Sequence, residues 1–351
     1  MKALVVGATG ISGWSTARRL LDNGWDVHGV SRRPAEGLDG MTGLHVDVTD
    51  REATAAALTG GGFTHVFYCT WSRHPTEAEN RRVNGAMLGN VLDAVCDAGG
   101  VQHVALVTGL KHYLGPFEAY AKAPGDTPFR EAQPRLPYEN FYYDQEDILF
   151  EAAARHAFTW SVHRAHTMIG WALGNAMNMG VTLAVYGMIC REQSRPFVFP
   201  GSPQQYAGIV DLTDATLLAE QLEWSATTPS AANQALNIVN GDVFRWRRMW
   251  EVIAADLGVE TAPYPGTARS LDEEMAGHEE VWRDIVTRHG LRPTELGSLA
   301  SWWHTDGDLG RPIEAFADMT KSRTLGFLGF RDTERTFLSL FDRLRSERII
   351  P

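Results

Sequence analysis

Gly7-Ala8-Thr9-Gly10-Ile11-Ser12-Gly13 is the stretch on which the fold of this chain turns. Its glycines are spaced G-x-x-G-x-x-G. Before it lies a short apolar run, Ala3 to Val6, and after it a helix-period pattern from about Ile11 to Leu21 that closes at Asn23-Gly24. Strand, tight loop and helix in that order make an anion-binding unit. Gly7 permits the turn, Gly10 lets backbone approach a pyrophosphate, and Gly13 lets the helix pack against the strand, while the helix N-terminus offers N–H groups and a positive dipole end. Val27 to Val30 reads as the next strand, so a βαβ unit closes in about thirty residues, as a parallel crossover requires.

Outward from this unit the alternation continues. A strand at Leu44 to Val46 is followed by a helix from about Asp50 to Leu58, a strand at His65 to Tyr68 and a helix from about Thr76 to Asp97. Next come a strand at His103 to Thr108, a helix from about Asn140 and a strand at Trp160 to His163. This is an α/β chain, a Rossmann-type doubly wound parallel sheet that takes ligands at the carboxyl ends of its strands. After Arg164 the rhythm breaks. A Met- and Gly-rich stretch (Thr167 to Met188) and a Pro-bounded segment (Pro196 to Pro203) precede a region from about Arg245 to Pro312 with five of the eleven tryptophans. The expected organisation is a Rossmann domain over 1–170, with 205–245 and about 316–335 returning to it. A smaller, mostly helical substrate-binding region takes 171–204 and 246–315, and a C-terminal helix and tail take 331–351.

The end of the second strand distinguishes the two nicotinamide cofactors. A carboxylate there would serve a ribose 2′-hydroxyl. Ser31-Arg32-Arg33 instead offers a hydroxyl and two guanidinium groups, which suit a 2′-phosphate, so the expected cofactor is NADPH/NADP+. Asp47-Val48, past the third strand, suits the adenine edge, although Asp47 equally suits a cap on the next helix.

With a net charge of -11 and scattered basic residues, the chain has no electrostatic footprint for nucleic acid or an anionic membrane. A small molecule is the expected partner. Cys69, Cys96 and Cys190 are too few and too far apart for a disulfide framework or a zinc site, so no metal is expected and the compartment reads as reducing. The first apolar run is too short for a signal segment, which gives a cytoplasmic expectation.

A reductase on this fold needs a Tyr to meet the substrate oxygen and a nearby Lys, usually as Tyr-x-x-x-Lys on one helix face. None of the nine tyrosines has a Lys four residues on. The other source is Thr108-Gly109-Leu110-Lys111-His112-Tyr113, which sets Lys111 just past the carboxyl end of the fifth strand. Downstream, Asn140-Phe141-Tyr142-Tyr143 opens a helix with Asn140 as N-cap. Strand-end Lys and helical Tyr can converge without sharing a helix. On spacing alone, Phe141, Tyr142 and Tyr143 also read as core aromatics.

With these residues in view, the chain resembles the progesterone 5β-reductase/iridoid synthase-like enzymes, a divergent extended branch of the short-chain dehydrogenase/reductase superfamily. The matching stretches include the glycine loop, Ser31-Arg32-Arg33-Pro34, Asp47-Val48, Thr64 through Thr70-Trp71, Thr108 through Tyr120, Asn140 through Leu149 and Ser161 through Arg164. Asn237 through Trp246 and the tail to Ile349-Ile350-Pro351 match as well, so the likeness spans essentially the whole chain. The resemblance implies Lys111 and Tyr142 as the working pair, with Tyr143 as fallback. It adds Thr9, Ile11, Thr70, Thr108 and His166 to the cofactor contacts, and implies NADPH-dependent reduction of the C=C bond of an enone or enal. A homodimer is also implied.

Two departures stand out. The family's Thr-Gly-Arg-Lys is here Thr108-Gly109-Leu110-Lys111, and its Arg-Pro-Gly-Asn is Arg164-Ala165-His166-Thr167, which brings a titratable ring towards the nicotinamide. Trp71, Tyr143, Met177, Met179, Trp302, Trp303 and His304 are the expected wall of a pocket for an apolar unsaturated carbonyl compound. The rival readings are a carbonyl reductase or alcohol dehydrogenase using the same Tyr and Lys, and a non-catalytic NADP(H) sensor. A sugar-nucleotide epimerase is disfavoured by the missing Tyr-x-x-x-Lys.

Overall fold

Strands apolar on both faces belong in the middle of a parallel sheet covered by helices on either side. In the computed structural model, which describes every residue except 98, 117, 118, 121–124 and 176, β1 (Lys2–Val6) is such a strand. It leads through α1 (Ile11–Asp22) to β2 (Asp26–Ser31), β3 (Thr42–His45), α2 (Arg51–Leu58), β4 (His65–Tyr68) and α3 (Glu77–Cys96). There follow β5 (His103–Gly109), the one-turn α4 (Lys111–Leu114), α5 (Phe141–His156) and β6 (Thr159–Ala165). The chain continues through β7 (Met168–Ile169), α6 (Met179–Glu192), α7 (Pro203–Ala207), β8 (Thr213–Asp214), α8 (Ala215–Thr227), β9 (Gln234–Ile238) and α9 (Trp246–Leu257), and its last helix is Thr333–Ser346.

Seven strands form one parallel sheet in the order β3-β2-β1-β4-β5-β6-β9. The order reverses between β1 and β4, the crevice where ligands bind in open α/β sheets. Leu4, Val6, Val66, Tyr68, Val104 and Leu106 pack with Leu88, Val91 and Leu92 of α3 in the core of this unit. The edge strand β3 is largely exposed and lies two residues earlier than the Leu44 start read from the sequence, because its residues carry no apolar alternation.

The chain divides into two units, one comprising 1–166, 215–239 and 317–329, the other 167–214, 240–316 and 330–351. The second takes in 205–214 and 240–245, which the sequence reading placed in the Rossmann domain. Local pairing decides this: β8 pairs with β7, Val210 bridges Phe244 and Ala315, and the Asn240 N–H bonds the Leu212 carbonyl. Residues from 330 belong there too, since Arg331 donates to the Asn240 carbonyl and Thr333 to Asp242. The core of the second unit is rich in large rings, with Trp246, Trp250 and Trp282 packed among Phe197, Phe199, Phe337 and Phe341. Among the described residues no helix is long and apolar enough to cross a membrane, and no cluster of His, Cys, Asp and Glu could hold a metal ion.

Candidate active site

The glycine loop follows β1 at the reversal point. Gly7 has φ +90°, a conformation costly for other residues, and a Cβ on it would lie 2.8 Å from Thr70 Cβ at the end of β4. A Cβ on Gly13 would come within 2.1 Å of the Gly7 carbonyl, so only glycine lets α1 start this close to the strand. Gly10 is the N-cap of α1. No side chain caps the helix and its first turn holds no acidic residue. Thr9 and Gly10 are half-buried and Ile11 is buried.

At the end of β2, Ser31 is buried and donates to the Arg33 carbonyl at 2.5 Å, while Arg32 and Arg33 are exposed. Asp47 is not the cap of α2. Its Oδ1 accepts from the backbone N–H and the hydroxyl of Thr49, and Asp50 caps the helix instead. The Thr49 N–H first, then the Thr49 hydroxyl and the Arg32 charge, hold Asp47 below the usual carboxylate range. The carbonyl of buried Val48 accepts from Asn90.

Lys111 and Tyr142 meet at the carboxyl ends of β5 and β6. Asn140 caps α5 by accepting from the Tyr142 N–H at 3.0 Å, and its amide donates to the Lys111 carbonyl at 2.7 Å, so one side chain joins the two segments. The first N–H of α5, on Phe141, is held at 2.7 Å by buried Glu77. Lys111 is 9% exposed, with its Nζ 4.4 Å from the centre of the Trp71 ring, 5.0 Å from Phe141 and 5.9 Å from Tyr142. Trp71 and Phe141 are stacked. A Cβ on Gly109 would lie 3.5 Å from Tyr142 Oη and 2.9 Å from the Ala165 carbonyl, which places the hydroxyl over both strand ends. Burial, aided by Tyr120 and Glu77, pushes that hydroxyl above the ordinary tyrosine range, so it is protonated and able to donate at neutral pH.

Behind the pair lies Glu146. Its Oε1 accepts from Arg164 at 3.2 Å and lies 3.5 Å from His112 Nδ1, and its Oε2 accepts from Arg135 at 2.9 Å. Burial acts to raise the carboxyl, but His112, Arg164 and Arg135 outweigh it and hold Glu146 at about 2. His112 is pushed down, first by burial, and stays neutral.

A family model described as a PRISE-like Rossmann-fold domain matches residues 40–351. The chain belongs to the PRISE-like Rossmann-fold family. Among the relatives of this PRISE-like chain, a 3-oxo-Delta(4,5)-steroid 5-beta-reductase of Arabidopsis thaliana is 40% identical over 99% of the chain and 93% of its own length. An (S)-8-oxocitronellyl enol synthase of Nepeta racemosa is 41% identical with the same coverage. Among solved structures, a UDP-glucose 4-epimerase of Thermotoga maritima with UDP-glucose has a TM-score of 0.69 at 13% identity over 99% of each chain. The Thermus thermophilus UDP-glucose 4-epimerase with NAD has 0.66 at 16% over 98% and 99%. These structures share the fold. The PRISE-like chain is an oxidoreductase.

The remaining residues singled out from the sequence fall in several places. Thr108 is buried in β5 and donates to the His163 carbonyl at 3.4 Å, and Leu110 is buried at the cap of α4. The Tyr143 hydroxyl is engaged within the protein: it donates to the His112 carbonyl at 2.7 Å and accepts from the Leu136 N–H at 3.0 Å. His166 is 3% exposed just beyond β6. Thr167 opens the second unit and donates to Asp308 at 2.6 Å, a bond that accounts for a hydroxyl in this departure from the family pattern. Met177, Met179, Trp302, Trp303 and His304 all belong to the second unit. Met179 is a core residue there, Met177, Trp302 and His304 are half-buried and Trp303 is exposed. Sequence reasoning missed Glu77, His112 and Glu146 around the Lys-Tyr pair. The available signal was an acid on the Tyr142 face of a helix, one turn on, where a lysine is usual.

Proposed function

We propose that this PRISE-like chain is an NADPH-dependent reductase of the activated C=C bond of α,β-unsaturated carbonyl compounds. The observation that carries the reading is the meeting of Lys111 and Tyr142 from different elements at the strand ends, each held by the side chain of Asn140. The names of the steroid reductase and enol synthase relatives support the substrate class.

The residues present fit the cofactor. A loop in which neither Gly7 nor Gly13 has room for a Cβ, and an uncapped helix start, suit a pyrophosphate, and Ser31, Arg32 and Arg33 suit a 2′-phosphate. Thr9, Gly10, Ile11, Asp47, Val48, Thr70, Thr108 and His166 would complete the contacts. When bound, NADPH supplies the two electrons as a hydride for the β-carbon of the substrate. Tyr142, protonated and buried, donates a hydrogen bond to the carbonyl oxygen that strengthens as enolate charge develops, and the enolate then takes a solvent proton at its α-carbon to give the saturated ketone. Lys111, 9% exposed with its Nζ over the Trp71 ring, would add a positive charge on the same side. Trp71, stacked on Phe141, gives an apolar face beside this pair for a substrate of matching character.

The test measures NADPH oxidation and products with enones paired with their saturated ketones. Saturated ketone should accumulate from the enone, and Tyr142→Phe and Lys111→Met should each lower kcat by about a hundredfold, the size of a lost oxyanion-type donor or general acid. Alcohol as the sole product would replace this reading with carbonyl reduction, and NADPH binding without turnover would replace it with a sensor.

A further inference from the structure

Enzymes with Tyr-x-x-x-Lys carry the lysine one helical turn after the tyrosine. In this chain the residue four after Tyr142 is Glu146, a carboxylate only 2% exposed. It faces two guanidinium groups, from Arg164 at the end of β6 and Arg135 on the segment leading into α5. A lysine there would place three cations together in the interior, so these surroundings exclude the usual arrangement, and the ammonium comes instead from Lys111 on another element.

A lysine on a separate segment needs a hold that a shared helix would have provided. The segment is α4, four residues long, with no side-chain N-cap and a Gly115 at φ +85° directly after it. A single turn has little stability of its own. Two of its fixed points come from α5, where Asn140 holds the Lys111 carbonyl and Tyr143 the His112 carbonyl, and another from β9, where Asn237 accepts from the Tyr113 hydroxyl at 2.6 Å. Glu146 adds the side-chain hold. The His112 ring, clamped edge-on between Tyr113 and Tyr143 at 4.9 and 5.2 Å, lies 3.5 Å from Glu146, and Arg164 extends from Glu146 to the Tyr113 hydroxyl at 3.3 Å. His112 thereby faces a carboxylate on the Tyr142 face of α5 directly, and Tyr113 reaches the same carboxylate through Arg164.

We infer that Glu146 is a positioning residue that locks the Lys111 turn against the first turn of α5, fixing the ammonium relative to the Tyr142 hydroxyl. The inference rests on the roles proposed above for Lys111 and Tyr142. Glu146, whose carboxylate faces His112, Arg164 and Arg135, acts through the pair, so its loss and the loss of Tyr142 should not multiply.

The experiment uses the full-length enzyme with NADPH and an enone such as cyclohexenone, and compares wild type, Glu146→Gln, Tyr142→Phe and the double variant. In folded Glu146→Gln, kcat should fall on the order of a hundredfold, the size of a misplacement of about an ångström. The NADPH Kd from fluorescence titration should stay within about threefold, and the double variant should be no slower than Tyr142→Phe alone. Wild-type kcat in folded Glu146→Gln, or losses that multiply in the double variant, overturns the inference. His112→Phe keeps the ring packing and leaves Glu146 with both arginines. It is the variant to measure if Glu146→Gln does not fold, and wild-type kcat there is equally fatal. Full activity in Tyr142→Phe and Lys111→Met would remove the proposed roles of the pair, and the inference with them. Loss in those two with none in Glu146→Gln removes the inference alone.

Discussion

Tyr142 and Tyr143 are adjacent in sequence and differ in what surrounds their hydroxyls. Tyr143 is committed to the Leu136 N–H and the His112 carbonyl, while Tyr142 stands over the strand ends at Gly109 and Ala165. Tyr143→Phe should therefore lower stability by roughly 1–3 kcal/mol, as buried groups lose their partner, and, by freeing one fixed point of the Lys111 turn, lower kcat of the folded enzyme as well. Thermal melts alongside steady-state rates check both halves. At the β2 end, Arg32→Glu should raise the KM for NADPH by about ten- to a hundredfold relative to NADH, the size of a lost charge-assisted bond plus repulsion of a 2′-phosphate. A rise common to both cofactors would place Arg32 elsewhere. At this scale Lys111 and Tyr142 were legible as candidates because Lys-His-Tyr and Asn-Phe-Tyr-Tyr are distinctive strings. Glu146 was not, since an acid inside a helical pattern reads as a solvated face until Arg164 and Arg135 arrive from distant segments.

β5 and β6 carry a buried polar seam at the level of whole elements. His103 bonds Thr159 and Ser161, and His163 bonds Gln221, Ser161 and Ser225, all within 3.1 Å. Burial, with the neighbouring histidines, pushes His103 down to about 3, and burial outweighs the Gln221 bond to push His163 down to about 4. The folded state thus binds fewer protons than the unfolded chain, whose histidines titrate near 6.5. The stabilisation is complete above that value and is lost as pH falls from about 6.5 towards 3, amounting to about 2 kcal/mol per histidine at pH 5. Unfolding midpoints at pH 7.5, 6 and 5 should decline accordingly, and His163→Gln should flatten the decline. The sheet elements were legible from alternation and the glycine loop. The two-residue strands β7 and β8 and the exposed β3 were not, because period-2 patterning needs more residues, or a buried face, to register.

Across the whole molecule, the family relationship and the sheet order place the ligand edge, and the return of 215–239 and 317–329 completes the Rossmann unit. The ends of the inserted segments are set by pairings such as Val210 with Phe244 that no local pattern announces. The same connectivity matters while the chain is being made. β6 ends at Ala165 and its outer neighbour β9 begins only at Gln234. On a ribosome adding about 5–20 residues per second, the finished edge of β6 waits roughly 3–14 s for its partner. Over that interval the newborn chain presents a bare strand edge, open to another nascent chain or to a chaperone, and the window closes only when residues 234–238 clear the exit tunnel.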